Sequence, residues 1–416
     1  PNGKDFAVGY ADGAIRLFDR ANNAVNVVLN GHRGSVSALA FDATGTVLAS
    51  GARDTDVVVW DVVGEVGLYR LRGHKDEITG IAFVAAGGEG ALTAGAAGHI
   101  VTSSKDTLVK LWDLRVQHCV QTLTAHRSEV WALAVSGDGR LLVTGTSDAD
   151  LHVWVISAEK LAEMAVDAAD HGADSAAGGW EAISAYGAVR RAGASRVVEL
   201  QFHPSGQYLA CLGADRTVEV FRARTQAEVK KKMARRQKRQ RDKAGDGAAA
   251  DGEAAITAAD ELTSFKVVRT DAKCVSVDFD PAERDAALVG RRGGVRLLVA
   301  QSNNALHVWT VAVPPAGVTT KQANLPEPSL ACSVERLGHR SEPRALALSG
   351  DNELLASAAN RSLRIWNAGT GACIRTLECG TALCAAFLPG DQFVVVGTKE
   401  GTLELFDIPG AALVET

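Results

Sequence analysis

An Asp followed six residues later by a Trp recurs along this chain and limits what it can fold into. "LASGARDTDVVVWDV" (48–62), "IVTSSKDTLVKLWDL" (100–114) and "LVTGTSDADLHVWVI" (142–156) align without a gap. Each offers a small-residue strand, a turn carrying Asp, and an alternating strand that ends at Trp: Asp54 with Trp60, Asp106 with Trp112, Asp148 with Trp154. A His stands upstream of each, His32 and His74 after Gly and His126 after Ala. The His-to-Trp spacing is 28, 38 and 28 residues, the second stretched by "AAGGEGALTAGAAG" at 85–98. Weaker copies end at Phe18, Phe221, Trp309, Trp366 and Phe406, giving eight units with the first incomplete. Period-2 strands of about six residues with regular turns indicate antiparallel sheet. A four-stranded unit cannot bury both of its faces alone, so neighbours must stack. The chain is therefore expected to be all-β, its four-stranded blades packed around an axis as a β-propeller. One blade is expected to use strands 36–41, 47–52, 57–61 and 67–71.

The repeated polar residues suit a buried hydrogen-bond network, because buried polar atoms need partners. His, a hydroxyl in the next strand (Ser50, Thr102 or Thr144) and the turn Asp would together hold the Trp indole N–H. His339 and Trp366 repeat the pattern 27 residues apart. Copies at 208–223, 288–310 and 390–407 have no Gly-His before them, and two end in Phe. Their strands are expected and their networks are not. With its Gly-His and Trp-Asp signatures in register along nearly the whole chain, the sequence resembles the WD-repeat family, whose fold is the β-propeller.

Three segments interrupt the rhythm. Residues 157–192 are Ala-rich and acidic, then Gly-rich. Residues 224–262 hold "KKKMARRQKRQRDK" (230–243), with nine Lys or Arg against one Asp. The whole chain is formally −5, so this net +8 block sits in a remainder of −13. Residues 314–330 carry Pro and no repeat, and read as a linker. The expected division is a first propeller over 1–313, with insertions at 157–192 and 224–262, and the start of a second over 331–416; the alternative is one eight-unit ring. Thr225 and Glu228 match a capping box, and no Gly or Pro intervenes before Gly245. The basic block is thus expected as a helix of four to five turns, an arm outside the core whose only sizeable apolar side chains are Val229 and Met233. Lys230, Lys231, Lys232, Arg235, Arg236, Lys238, Arg239 and Arg241 are the candidate RNA-contact or targeting residues. Dense cations neutralise phosphates without reading sequence, and such clusters also act as nuclear signals. No aromatic is interleaved with them, so stacking on bases is not expected of this arm.

No Walker loop, GxSxG or HExxH is present, and the remaining histidines have no metal-ligand spacing. No catalytic residue, cofactor or metal is expected, and the chain is read as not an enzyme. Seven cysteines without a CxxC pair read as buried thiols in a reducing compartment. No run reaches the 18 or so apolar residues that span a bilayer. The opening "PNGKDFAVGYADG" has no starting Met and no signal-peptide shape, so a fragment or a processed form is expected.

Several stretches go beyond the generic repeat: "DTDVVVWDVVGEVGLYRLRGHKD", the "EVKKKMARRQKRQRDK" insertion and "GTGACIRTLECGTALCAAFLPGDQFVVVGTKEGTLELFD", in that order. Together they are similar to the tandem-propeller WD-repeat subunits of the UTP-B subcomplex of the small-subunit processome. That resemblance implies a non-catalytic scaffold in the nucleolus. Its partners would be other processome proteins, pre-rRNA and a small nucleolar ribonucleoprotein, and its role would be in pre-rRNA processing and 18S rRNA maturation. Two alternatives stay open. "WDLR" at 112–115 resembles the box by which some WD-repeat proteins join a cullin-type ubiquitin ligase as substrate receptors, with Arg115 as the contact. A chromatin-binding propeller is the other.

Overall fold

The computed structural model describes residues 3, 5–22, 24–84, 98–163, 181–244, 256–280, 294–314, 325–335 and 338–415, with the backbone only at 226, 237–244 and 335. Much of the expected linker 314–330 lies outside the described residues. Among the described residues eight sheets follow one another along the chain. The first has three strands, Asp5–Gly9, Ala14–Asp19 and Ala24–Asn30; seven four-stranded sheets then occupy 36–71, 78–123, 132–190, 197–269, 274–335, 345–377 and 382–415. In every sheet the strand order is the sequence order, and the neighbours run antiparallel. The second sheet uses Val36–Phe41, Val47–Ala52, Val57–Asp61 and Val66–Leu71, within one residue of the strands the alternation predicts.

The chain divides into two compact units, residues 1–299 with 308–331, and residues 300–307 with 332–416. Within the first unit the first strands of successive sheets pack side by side. Apolar clusters fill the spaces between consecutive sheets. Val101, Leu111, Leu142 and Trp154 share one such cluster, and Val143, Leu151, Leu209 and Phe221 share the next. The inner sheets of the first unit, 36–71 to 197–269, thus bury both faces against their neighbours, as a stacked repeat must. These are the blades of a WD-repeat β-propeller.

Two backbone devices recur with the repeat. The pairing of third and fourth strands shifts register at the residue before the aromatic, between Val59 and Trp60, Leu111 and Trp112, Val153 and Trp154, Val220 and Phe221, and Ile365 and Trp366. A bulge bends the strand and re-aims the side chain at that point, and in the Trp copies the indole there reaches a buried hydroxyl. The residue after the turn acid is left-handed at Thr55 (φ 71°), Thr107 (φ 70°) and Arg216 (φ 64°), and so is Arg361 (φ 60°), which follows Asn360 at the same place in its copy. Ala149, after Asp148, is not among the left-handed residues.

Because antiparallel neighbours alternate in direction, the connections alternate between the two ends of each sheet. One end of the first unit carries every long connection: 85–98, 157–182, 224–261, 280–293 and 313–328 join either first to second or third to fourth strands. The other end carries the short second-to-third turns and the sheet-to-sheet connections.

Candidate nucleic-acid interface

The buried networks come first, since they fix the blades that carry everything else. In the sheet 78–123, Trp112 Nε1 donates to Thr102 Oγ1 at 2.8 Å, and Thr102 Oγ1 lies 2.8 Å from His74 Nε2. His74 Nδ1 meets Asp106 at 2.9 Å, and the Lys75 backbone N–H donates to the same carboxylate. One arrangement satisfies every group: indole N–H to hydroxyl oxygen, hydroxyl hydrogen to Nε2, and Nδ1–H to carboxylate. It requires a neutral imidazole. Burial lowers the His74 pKa and outweighs the pull of Asp106. The chain Trp60, Ser50, His32, Asp54 repeats this with 2.8, 2.7 and 3.2 Å links. Burial pushes Asp54 and Asp106 up, but backbone N–H donors and the facing imidazoles hold both below the usual carboxylate range.

The third copy is incomplete. Trp154 Nε1 reaches Thr144 Oγ1 at 3.1 Å and His126 Nε2 lies 3.2 Å from that oxygen. Asp148, expected to hold His126, instead accepts from Ser128 and Thr146 hydroxyls. His126 Nδ1 has no partner among the described residues. With the carboxylate turned away, burial and the neighbouring His152 depress its pKa to about 4, against a weak opposing pull from Asp148. In the second unit Trp366 and His339 share Ser357, at 2.7 and 2.6 Å, and Ser362 at 2.8 Å from Nδ1 replaces the Asp. Neither serine was singled out by the repeat, because the hydroxyl there is nine residues before Trp366, not ten.

The copies that end in Phe need no such hydroxyl, since Phe has no N–H. The position ten residues earlier holds Val8 for Phe18, Cys211 for Phe221 and Val396 for Phe406. Trp309 breaks this rule. Val299 stands at the hydroxyl position, and the buried Trp309 Nε1 has no acceptor among the described residues. In the connection before the sheet 197–269 the buried Arg191 donates to the Asp148 and Ser195 carbonyls, and Glu219 of that sheet accepts from Ala192 N–H.

The basic block forms the helix Gln226–Ala244, hereafter α1. Thr225 caps it, with reciprocal 3.4 Å bonds to Glu228. The expectation that it stands wholly outside the core is wrong for its first two turns. Val229 and Met233 are 1% and 7% exposed. Four residues apart, they share one helical face, and α1 lies against the short helix Ala258–Glu261. Lys232, beside that face, pairs with Asp260 at 2.7 Å, so it is a tether and not a free cation. The Lys232 ammonium, then Thr257, holds the Asp260 carboxyl below its ordinary range. Asp260 is itself fixed, because Arg224 donates to its carbonyl at 2.7 Å and Arg140 grips the adjacent Glu261 at 2.7 Å. Lys230, Lys231, Arg235 and Arg236 remain exposed. Lys238, Arg239 and Arg241 continue the helical backbone, while their side chains lie outside the described residues. The arrangement is a row of cations on a rod of about 28 Å, fixed at one end to the third and fourth four-stranded sheets.

Arg115 of "WDLR" lies 3.5 Å from the buried Asp113, which also faces the buried His99 at 3.6 Å. Only Cys211 and Cys274 among the seven free cysteines are buried; Cys332 and Cys384 are exposed. Among the described residues no group of three or more His, Cys, Asp or Glu is placed to hold a metal, and no helix is long and apolar enough to cross a membrane. Sequence reasoning passed over Trp131. Five residues after its His, it occupies the position held by Ser37 and Thr79 in the preceding copies. Those hydroxyls donate to the Ile78 and Val130 carbonyls, at or just before the first strand of the next sheet. A Trp at a stitching position was the available signal.

Residues 1–156 match the WDR3 first beta-propeller domain, and residues 190–222 and 331–367 match the WD domain, G-beta repeat. The chain is 33% identical over 419 residues to U3 small nucleolar RNA-associated protein 12 of Saccharomyces cerevisiae, covering 99% of this chain and 40% of that protein. It is 36% identical over 236 residues to WD repeat-containing protein 3 of Mus musculus, covering 55% of this chain and 23% of that protein, and 35% identical to the Homo sapiens protein of the same name over the same shares. The chain thus spans less than half the length of these relatives. Their similarity joins the repeated blades and the Trp-centred networks in one conclusion: this chain belongs to the WD-repeat family.

Proposed function

We propose that this chain is a non-catalytic scaffold of ribosome biogenesis, acting in the nucleolus on pre-ribosomal RNA with the U3 small nucleolar ribonucleoprotein. The finer reading is a place in the UTP-B subcomplex of the small-subunit processome, supporting pre-rRNA processing and 18S rRNA maturation. One observation carries it: 99% of the chain aligns with a relative whose name declares association with U3 small nucleolar RNA. The exposed cations of α1 supply chemistry suited to that role, because they can neutralise phosphates without reading bases. A helix tethered through Val229, Met233 and Lys232 presents those cations in a fixed direction from the blades.

The experiment is crosslinking in cells with sequencing of the bound RNA, for the parent and for a variant with Lys230, Lys231, Arg235 and Arg236 changed to Gln. Lys232 is retained, since it holds the helix. U3 and pre-rRNA should be enriched with the parent. The variant should lose nucleolar accumulation and bind RNA in vitro with a salt slope shallower by up to about 3, at 0.7 to 0.9 per phosphate contact. Enrichment of mRNA, or recovery of a cullin adaptor or of histones in place of pre-ribosomal components, would reject the reading.

A further inference from the structure

At the end of the first unit opposite α1, one row of side chains links four consecutive sheets. Arg53, in the turn after Val47–Ala52, reaches Glu77 through Nε at 3.7 Å. Glu77, just before Ile78–Val84, also holds Lys105 Nζ at 2.5 Å. Lys105 Nζ lies 4.9 Å from the centroid of the Trp131 indole, and the Arg196 guanidinium carbon lies 4.1 Å from the same ring. Trp131 precedes Ala132–Val135 and Arg196 precedes Val197–Phe202, so each link passes to the next sheet or stays within one. The indole is half-buried and oriented by its N–H, which donates to Ser147 Oγ at 3.2 Å.

The row leaves two guanidinium forks unspent. The Arg53 side chain is 71% exposed and, among the described residues, its one ion pair is through Nε. Arg196 is exposed and has no carboxylate within 4.0 Å among the described residues. A guanidinium over an indole is fixed in orientation, yet its in-plane N–H donors stay free for a carboxylate or a phosphate. Trp and Arg are also the residues on which binding energy concentrates at protein interfaces.

The neighbouring charges select between the two acidic partners. Glu77 sits in the middle of the row, the exposed Asp76 precedes it, and the exposed Glu129 stands two residues before Trp131. A phosphate backbone laid along the row would run past these carboxylates. Two cations already lie over the indole, which removes the stacking platform a single strand needs. A polypeptide meets neither obstacle, since it can place separate carboxylates at the two ends and an apolar side chain between them. We propose that this row docks an acidic segment of a partner protein, one carboxylate on Arg53, another on Arg196, and an apolar side chain against the edge of Trp131.

The test is fluorescence anisotropy on the full chain with three probes: a labelled (Glu-Leu-Asp-Gly)3 peptide, its (Lys-Leu-Lys-Gly)3 counterpart, and a 15-nucleotide oligouridine RNA. The acidic peptide should bind and the basic one should not. Arg196→Gln and Arg53→Gln, both at exposed positions, should each weaken the acidic peptide at least tenfold, and Trp131→Leu should do the same. The four Gln substitutions on α1 should leave acidic-peptide binding unchanged, which separates this row from the helix. Failure of the acidic peptide to bind, affinity unchanged in Arg196→Gln, or loss of RNA binding and not peptide binding in that variant would overturn the proposal.

Discussion

Replacing Thr102 by Val isolates the network from packing, because Val matches Thr in shape and leaves no cavity. Thr102 is fully buried, and its one hydroxyl serves both Trp112 Nε1 and His74 Nε2 at 2.8 Å. The substitution strands both nitrogens. Each buried unsatisfied group costs about 1–3 kcal/mol, so local stability should fall by about 2–6 kcal/mol. Thr144→Val is the internal comparison. Its two bonds are longer, 3.1 and 3.2 Å, and His126 already lacks an acceptor at Nδ1. The same chemical change should cost about half as much there. Native-state hydrogen exchange on His99–Ser104 and Leu141–Gly145 reads the two sites separately and does not require the chain to unfold in one step. Thr102→Ser, which keeps the hydroxyl, should stay within about 1 kcal/mol of the parent. Equal losses at 102 and 144, or a loss below about 1 kcal/mol for Thr102→Val, would refute the claim that the relay, and not the bulk of the side chain, holds the Trp.

Three further outcomes follow from the geometry. The histidines at 32, 74, 126 and 339 all have folded pKa values below 6.5, so the unfolded chain binds more protons as pH falls and the stability they supply is complete above pH 6.5 and lost below it. His126, at about 4, contributes the widest window, on the order of 2–3 kcal/mol; a urea midpoint that stays flat from pH 7.5 to 4.5 would contradict this. Met233→Ala should release the first turns of α1 at a cost of about 2 kcal/mol, visible as faster exchange across 226–236, while Gln at Lys230, Lys231, Arg235 and Arg236 should leave the melting temperature unchanged. Trp309→Phe should cost less than Trp112→Phe, since the first removes an N–H with no acceptor among the described residues and the second leaves Thr102 without its donor; calorimetry on the two variants decides it.

The blades were legible because their signals are local and repeated. Alternation marks the strands, and the Asp-to-Trp interval marks the turn between them. What escaped was set by contacts between distant segments. Nothing near Lys232 in sequence announces Asp260, and the helix is expected outside the core because only two of its apolar side chains are large. Two suffice when they fall four apart on a face that meets Ala258–Glu261. Asp148 has the same spacing as Asp54 and Asp106, so sequence alone assigned it the same role. Its turn takes a different backbone, and Ser128 and Thr146 take its carboxylate. Trp131 was hidden in the opposite way: it belongs to the repeat frame, but only alignment with Ser37 and Thr79 exposes it as a substitution of a stitching hydroxyl.

The alternation of antiparallel strands gives the first unit two chemically different ends, and this division bears on how a scaffold could hold unlike partners together. At the end with the long connections, α1 offers cations around a helical surface, with one tether to a carboxylate and no aromatic group. That suits a polyanion, where register does not matter and each added charge helps. At the other end, the turns are short and the Trp relays sit just beneath the surface, so side chains such as Arg53, Trp131 and Arg196 project from backbone that is fixed by buried bonds. Mixed charge and an oriented indole suit a partner that must be placed in one register. The same relays that close the blades therefore also set the precision of the end they underlie, and a scaffold needs that difference if RNA is to be gathered at one end and protein positioned at the other.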